Sequence, residues 1–331
     1  MQLNRRNFLS LGAAATTIPA LGTSTQCSKP STFPKEYFLN WGSMYLQMPW
    51  PGLKNKFKFR VIADTHFIYF DKRDEQYADN YARMGLNQKA KLPERLPAPS
   101  MYKLEDAIAT AKKNKLDAIM LVGDILSFPS IANVEYAKKR FDDAGVPYFY
   151  IAGNHDWHFE GLPGSSDDLR KEWIEKRLKP LYPEGVNPLM YSKVVNGVRI
   201  VAIDNSTYLI NEEQLEFWKT EAAKGDPIVL IMHIPLYIPG APKGYCGSPH
   251  WGAAIDPYWR IERRQRWAEK ATPETFAFRD AVLSTPNLAG VFTGHIHQAI
   301  NMRGNGQNMF SVPSCGGHPK QRYLDVTMYG A

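Results

Sequence analysis

The sequence predicts an α/β protein in which two mixed β-sheets are flanked by helices. Short apolar runs of strand length alternate with stretches of helical periodicity, and this alternation is typical of buried, largely parallel strands. Two segments with the pattern of β-hairpins interrupt the alternation. A pair of mixed sheets therefore fits the sequence better than one doubly wound sheet.

The predicted elements follow one another in a regular order. The strand-like runs are residues 57–63, 116–122, 147–152, 228–232 and 288–292. The helical patterns are at roughly 101–114, 131–144, 166–179, 211–223 and 274–285. The two hairpin candidates turn at Asn196-Gly197 and at Gly304-Asn305-Gly306, where asparagine and glycine suit tight turns.

Composition and charge limit the classes of function. Of the 331 residues, 44% are hydrophobic and 22% are charged, which is ordinary for a soluble globular protein. The net charge of +7 and the pI of about 9.1 suit an anionic substrate, but they do not by themselves indicate nucleic acid. The three cysteines Cys27, Cys246 and Cys315 are too few for a disulfide scaffold or a cysteine-ligated zinc site.

The N-terminal residues resemble an export signal of the twin-arginine type. Arg5 and Arg6 precede a weakly apolar run over residues 11–22, which is shorter than the roughly 20 residues that span a bilayer. We therefore expect a cleaved protein that is periplasmic or secreted, with no transmembrane segment in the mature chain. A lipid anchor on Cys27 is the weaker alternative, because no apolar residue directly precedes it. A basic N-terminal helix is a further alternative.

The rest of the chain predicts one domain. We assign residues 1–29 to the export signal and a short linker, and residues 30–331 to a single domain, since no flexible linker or clear repeat divides it. Two insertions interrupt the pattern, near 67–100 and 236–274. The second insertion interleaves tryptophan with arginine, and either a lid over the substrate or a solvated basic helix would account for this composition.

Polar residues that can bind metal follow each of the five strand-like runs. In an open α/β sheet, ligands bind at the carboxyl ends of the strands, so side chains from separate strands can converge there. Any one of these residues alone would be an ordinary turn or surface residue, and only the complete set is informative. In chain order, the residues are Asp64, His66, Asp124, Asn154, His155, His233, His295 and His297.

The chemistry of these donors indicates two metal ions. Carboxylate and imidazole groups without a thiolate suit Mn, Fe, Zn or Co in a catalytic site. Seven of these donors exceed what one ion needs with room left for substrate, whereas two ions about 3.5–4 Å apart, sharing a carboxylate, would use all seven. We therefore expect two divalent or mixed-valence ions.

The ordered set resembles the calcineurin-like metallophosphoesterase superfamily. The motifs are Asp64-x-His66, Gly123-Asp124, Gly153-Asn154-His155-Asp156, His233 and Gly294-His295-x-His297. The resemblance covers residues from about 57 to 328, nearly the whole mature chain. It implies a four-layer α-β-β-α sandwich, with a dinuclear metal site at one end of the sheets.

The resemblance also implies a role for each residue. Asp64, His66 and His297 would bind one ion, Asn154, His233 and His295 would bind the other, and Asp124 would bridge both. A metal-bridging hydroxide would attack phosphorus, and His155 would assist the leaving group without binding metal. Asp156 would orient the ligands.

The sequence departs from some branches of this superfamily. Many members have an aspartate three residues after the Gly-Asp aspartate, where it orients the catalytic histidine, but here that position is Ser127. The Asp-Arg-Gly motif of serine/threonine phosphatases is absent, and no tyrosine follows Gly123-Asp124 as in purple acid phosphatases. The motifs are most similar to those of the bacterial branch that contains cyclic-nucleotide and other phosphodiesterases.

We therefore expect an enzyme that hydrolyses a phosphoester. A diester is favoured over a monoester, because the aromatic and basic insertion could hold a second substituent. A phosphomonoesterase or a nuclease on the same site is the alternative within enzymes, but the export signal counts against intracellular DNA repair, and we do not expect nucleic acid as a partner. A non-catalytic scaffold of this fold is a remote alternative, because the ligand set is complete.

Overall fold

Two mixed sheets form the centre of the fold, as the alternating pattern and the hairpins predict. The computed structural model describes residues 36–79, 99–238, 272–315 and 323–331, without the side chains of residues 99–103. The predicted export signal, Cys27, Cys246 and the greater part of both insertions lie outside the described residues. No helix among the described residues has the length and apolarity needed to cross a membrane.

The first sheet combines a parallel centre with antiparallel neighbours. Its strands are β1 (Phe38–Asn40), β2 (Tyr45–Trp50), β3 (Phe57–Ile62), β4 (Ala118–Val122), β5 (Tyr148–Ile151) and β12 (Leu324–Gly330), in the order β1-β2-β12-β3-β4-β5. Strands β3, β4 and β5 are parallel, as the sequence predicts. Strand β12 pairs with β2 in parallel and with β3 in antiparallel orientation, so β12 is an inner strand of the sheet.

The second sheet contains both predicted hairpins. Its strands are β6 (Met190–Val195), β7 (Val198–Ile203), β8 (Ile228–Ile231), β9 (Leu288–Thr293), β10 (Ile300–Gly304) and β11 (Gln307–Ser311), in the order β10-β11-β9-β8-β7-β6. Strands β7, β8, β9 and β11 are parallel. At the hairpin turns Asn196 and Asn305 have φ of 52° and 47°, and the glycines that follow them also have positive φ. Such backbone angles suit type I′ turns, which explains the Asn-Gly sequences.

After a 3-10 helix at Lys72–Tyr77, five α-helices with described bounds agree with the predicted helical patterns. They are α1 (Pro99–Lys113), α2 (Ile131–Asp143), α3 (Ser166–Trp173), α4 (Glu212–Ala222) and α5 (Pro273–Ser284). Helix α3 continues into a π-helical turn and a 3-10 turn. Each of helices α2 to α5 begins after a polar N-cap whose side chain accepts a backbone N–H three residues later, at Ser130, Ser165, Asn211 and Thr272.

The two sheets pack face to face, and helices cover their outer faces. Phe59 of β3 and Phe292 of β9 meet edge to face, with ring centroids 5.4 Å apart. Arg60 of β3 donates to the carbonyl oxygen of Ala107 on α1 at 2.6 Å. Helices α4 and α5 share a buried cluster with the second sheet. The four-layer α-β-β-α sandwich implied by the resemblance is thus confirmed.

Candidate metal centre

The predicted site residues follow strands of both sheets, and direct contacts join them at one end of the sandwich. Asp64 follows β3 of the first sheet, and its Oδ2 accepts the backbone N–H of His295, which follows β9 of the second sheet, at 2.9 Å. Nδ1 of His233, after β8, lies 2.9 Å from the carbonyl oxygen of Val122 in β4. Both sheets therefore contribute to a single site.

Asp64, His66 and His297 form the first subsite. Their side chains converge, because Nε2 of His66 lies 3.0 Å from Nε2 of His297, and the latter atom lies 3.3 Å from Oδ1 of Asp64. Ligand atoms that are each about 2.0–2.2 Å from one ion are separated by about 3 Å. This spacing suits three ligands of one ion.

Asp124, His233, His295 and Asn154 form the second subsite. Nε2 of His233 lies 3.2 Å from Oδ2 of Asp124, and one donor atom from each of Asp124, His233 and His295 lies within 4.8 Å of the other two. Asn154 is fully buried, and neither atom of its amide has a hydrogen-bond partner among the described residues. Leaving a buried amide without partners is costly, so this arrangement favours a ligand at Asn154.

The carboxylate of Asp124 lies between the two subsites. Its Oδ2 is 3.7 Å from Nε2 of His66 and 3.2 Å from Nε2 of His233. The other oxygen, Oδ1, accepts the backbone N–H of His155 at 2.8 Å. One oxygen thus fixes the orientation of the carboxylate, and the other faces ligands of both subsites, as a bridging role requires.

His155 lies beside the first subsite. Its ring meets the ring of His66 edge to face, with centroids 4.8 Å apart, and it is only partly buried. One ring nitrogen also lies within 4.8 Å of donor atoms of His66 and Asp124. His155 is therefore close enough to act on a substrate bound at the centre.

Ser127 lies at the position where many members of the superfamily that the motifs resemble have an aspartate. Its hydroxyl donates to the backbone carbonyl oxygen of His66 at 2.7 Å. Ser127 therefore stabilises the turn that carries His66, a ligand candidate of the first subsite.

Asp156 connects the loops that follow β4 and β5. It is fully buried, and its two oxygens accept the backbone N–H groups of Leu126 and Gly153, each at 2.7 Å. Burial, and then the negative charge of Asp124, raise the pKa of Asp156 to about 7. Its two hydrogen bonds fix the loops that carry Asp124 and Asn154.

The backbone around the centre is unusual. Five predicted ligands have the left-handed conformation that non-glycine residues seldom adopt, namely Asp64, His66, Asp124, His295 and His297, with φ between 43° and 69°. The motif glycines are required by close packing, since a Cβ at Gly153 would lie 2.2 Å from Oδ1 of Asp124. Such conformations concentrate at functional sites, where the surrounding structure stabilises them.

The histidines differ in charge. Burial lowers the pKa of His66 to about 4, and burial together with the charge of His233 lowers that of His295 to about 3. Both are uncharged at neutral pH, which is the form that binds metal. Burial opposes the charging of His233, but the negative charge of Asp124 and its hydrogen bond outweigh burial and raise the pKa of His233 to about 9.

The residues of the centre fit two metal ions. Asp64 and Asp124 are almost fully buried, at 0% and 2% exposure, and the charges of neighbouring histidines keep the pKa of both carboxyl groups below its usual range despite burial. Buried carboxylates, imidazoles and an amide without a partner among the described residues form a donor set of oxygen and nitrogen atoms. Cations would compensate the buried negative charge and satisfy the amide.

Two residues that the sequence motifs do not include also contact the second subsite. The hydroxyl of Tyr208 lies 2.7 Å from Nε2 of His295. Oδ1 of Asn205 accepts the backbone N–H groups of His233 and Ile234, at 3.2 Å and 3.0 Å. Both belong to the polar run Asp204–Tyr208 directly after β7, and a polar run at a strand end was the only signal that could have identified them.

Comparisons with known proteins identify a family and a similar fold. A family model for calcineurin-like phosphoesterases matches residues 57–299. A probable cyclic nucleotide phosphodiesterase from Psychrobacter sp. (strain PRwf-1) is 24% identical over 229 residues, and the match covers 66% of this chain but only 58% of the relative. A dimetal phosphatase from Danio rerio has a similar fold, with a TM-score of 0.52 and 13% identity over 82% of this chain and 93% of that chain.

Proposed function

Because this chain belongs to the calcineurin-like phosphoesterase family, and is therefore a hydrolase that acts on ester bonds, we propose that it hydrolyses a phosphodiester at a dinuclear metal centre. The observation that carries the proposal is the position of Asp124. Its Oδ2 faces His66 Nε2 at 3.7 Å and His233 Nε2 at 3.2 Å, so this carboxylate would contribute to both subsites.

The two ions would be bound by the two subsites. Bound Mn, Fe, Zn or Co ions would supply Lewis acidity to the phosphoryl group and a nucleophile at neutral pH. The first subsite would use Asp64, His66 and His297, the second would use Asn154, His233 and His295, and Asp124 would belong to both. A neutral amide at Asn154 keeps the centre positive enough to bind an anionic phosphate.

His155 would donate a proton to the leaving oxygen. Its main chain is fixed by the hydrogen bond to Asp124, and its ring packs against His66. A partly exposed imidazole next to both subsites can reach a phosphoester while leaving the metal ligands in place.

Support for a diester comes from the relative named as a probable cyclic nucleotide phosphodiesterase. The identity is 24% and the chain spans 58% of that protein, so we propose the substrate class of this chain by analogy with the relative. The net charge of +7 suits any phosphate anion and does not distinguish a diester from a monoester. We further propose export by the twin-arginine route to the periplasm or medium, which rests on Arg5 and Arg6.

A paired assay tests the proposal. The purified chain would be incubated with Mn²⁺ and either bis(p-nitrophenyl) phosphate or p-nitrophenyl phosphate. We expect faster hydrolysis of the diester, and loss of both activity and bound metal in Asp124→Asn. Preference for the monoester would make the chain a phosphomonoesterase, and unchanged activity in Asp124→Asn would contradict a dinuclear mechanism.

A further inference from the structure

The loop after β7 contributes no candidate ligand, yet it contacts both candidate histidines of the second subsite. This loop is the segment Asp204–Tyr208, and its described residues are almost fully buried. Asn205 binds the backbone N–H of His233 through Oδ1 and donates through Nδ2 to the carbonyl oxygen of Ile234 at 2.7 Å. The main chain of His233 is therefore fixed by a side chain of this loop.

Tyr208 contacts the other histidine directly. Its hydroxyl lies 2.7 Å from Nε2 of His295, and the two rings meet edge to face with centroids 5.4 Å apart. The exposed fractions are 4% for Tyr208 and 2% for His295, so water competes poorly for this hydrogen bond. A buried hydrogen bond of this length holds the imidazole ring in one orientation.

This contact engages Nε2 of His295, which leaves Nδ1 as the ring nitrogen that can face a metal ion. A neutral imidazole has one N–H and one lone pair, and the partner of one nitrogen sets the role of the other. When Nε2–H of His295 donates to the phenol oxygen of Tyr208, Nδ1 keeps its lone pair. His233 has the opposite arrangement, because its Nδ1 lies against the Val122 carbonyl oxygen and its Nε2 faces Asp124.

The backbone of Tyr208 supports a specific role. Its φ is 67°, a left-handed conformation that is rare for a bulky residue. A hydrogen bond from the N–H of Tyr208 to the carbonyl oxygen of Asn205, at 2.8 Å, closes the turn. This strained turn directs the phenol towards His295, and backbone strain of this kind is concentrated at functional sites.

We propose that Tyr208 is a positioning residue for the second metal ion, which it serves by engaging Nε2 of His295 and holding the ring so that Nδ1 is the nitrogen presented to the ion. The inference rests on the proposed dinuclear centre. Removing the hydroxyl would release the His295 ring from this orientation and would weaken binding of the second ion more than that of the first. Partners that orient metal ligands typically change metal affinity by about 10–100-fold when they are removed.

The test compares Tyr208→Phe with Tyr191→Phe in the full chain. Tyr191 is a matched control, because it is also buried and its hydroxyl donates to a backbone carbonyl oxygen, that of Tyr150, at 2.8 Å. Each chain would be freed of metal with a chelator and titrated with Co²⁺, followed by calorimetry and by visible absorbance. Circular dichroism would establish that both variants are folded.

We expect two Co²⁺ ions in the wild-type chain and in Tyr191→Phe. In Tyr208→Phe we expect the second ion to bind about 10–100-fold more weakly, the first ion to bind as before, and the absorbance of the second ion to change. Equal affinities for the second Co²⁺ ion in the wild type and Tyr208→Phe would overturn the role of Tyr208, and so would equal weakening in both variants. Neither result would affect the proposed dinuclear centre. A wild-type chain that binds only one ion would overturn the dinuclear centre, and the inference with it.

Discussion

The backbone N–H of His295 donates to the carboxylate of Asp64 at 2.9 Å, although the two residues belong to different sheets and are 231 positions apart. The bond connects the end of β3 with the turn that carries His295 and His297. Oδ1 of Asp64 also lies 3.1 Å from this backbone nitrogen, and it is 3.3 Å from Nε2 of His297. The geometry of the first subsite therefore depends on how closely this turn approaches Asp64.

Gly294→Ala should disrupt the centre through this close approach. A Cβ at Gly294 would lie 2.4 Å from Oδ2 of Asp64 and 2.7 Å from Cβ of Ala63, both of which are buried. Because neither neighbour can move freely, we expect destabilisation of roughly 1–3 kcal/mol and loss of most bound metal. Thermal unfolding and the metal content of the purified chain would measure both effects.

Gly42→Ala provides the control for this substitution. Gly42 is exposed in the turn between β1 and β2, and its added Cβ would meet only the side chain of Asn40, at 3.1 Å. We expect this variant to keep its metal and its activity. Equal metal content in Gly294→Ala and Gly42→Ala would contradict the steric argument.

Most of the fold is predictable from local sequence patterns. Strands β3, β4, β5, β8 and β9 are apolar runs that are buried almost throughout, and the hairpins have Asn-Gly turns. Strands β2 and β12 are different. In β2 the buried residues alternate with partly exposed ones, and one of the partly exposed residues is Pro49. Their pairing joins residues near the two ends of the described chain, and such long-range pairing leaves no local signal.

The candidate site is likewise predictable from the sequence only in part. Its ligand types are predictable, since polar residues directly follow apolar strands and match known motifs. The role of Tyr208 is not predictable from the sequence. Its contact with His295 spans 87 positions and depends on how β7 and β9 are arranged in the sheet. The contact of Ser127 with His66 likewise depends on the packing of two loops.

His155→Gln should slow the reaction without removing metal. If His155 protonates the leaving oxygen, its loss should matter most when the leaving group is a poor one. We expect about a 10²–10⁴-fold decrease in kcat for a cyclic nucleotide, whose leaving group is an alkoxide, and a much smaller decrease for bis(p-nitrophenyl) phosphate. Steady-state kinetics and metal content would be measured on the same preparation. Equal decreases for both substrates, or loss of metal, would contradict this role.

Removal of metal should destabilise the chain. Asp64, Asp124 and Asn154 are buried. Bound cations would compensate the negative charge of the two carboxylates. They would also satisfy the amide of Asn154, which has no hydrogen-bond partner among the described residues. A ligand present at 100 times its Kd adds about 2.7 kcal/mol to the free energy of unfolding, so each ion should raise Tm by several degrees. Thermal unfolding would be followed after chelation and during addition of Mn²⁺. The Tm of Asp124→Asn should depend little on Mn²⁺. A wild-type Tm that does not change when Mn²⁺ is added would contradict the prediction.

Glu221 should stabilise the second sheet in a pH-dependent manner that does not involve metal. It is buried on α4, and its carboxylate accepts hydrogen bonds from Arg199 and Ser192, each at 2.8 Å, and from Lys224 at 2.6 Å. Burial acts to raise the pKa of Glu221, but the hydrogen bonds and charges of these partners outweigh it, so the pKa is lowered from its usual 4.5. A group with a lowered pKa in the folded state contributes stability above the unfolded pKa and loses it as pH falls through the folded value.

Glu221→Gln should therefore lower the free energy of unfolding by about 1.5–3 kcal/mol at pH 7, since hydrogen bonds to a charged group are lost. The difference from wild type should shrink as the pH falls below 4.5, where the wild-type carboxylate also becomes protonated. Urea unfolding with EDTA present would measure it free of metal effects. Glu216→Gln, on the exposed side of the same helix, should change stability by no more than about 0.5 kcal/mol. A difference between wild type and Glu221→Gln that stays constant from pH 7 to below 4.5 would show that packing, and not charge, gives Glu221 its effect.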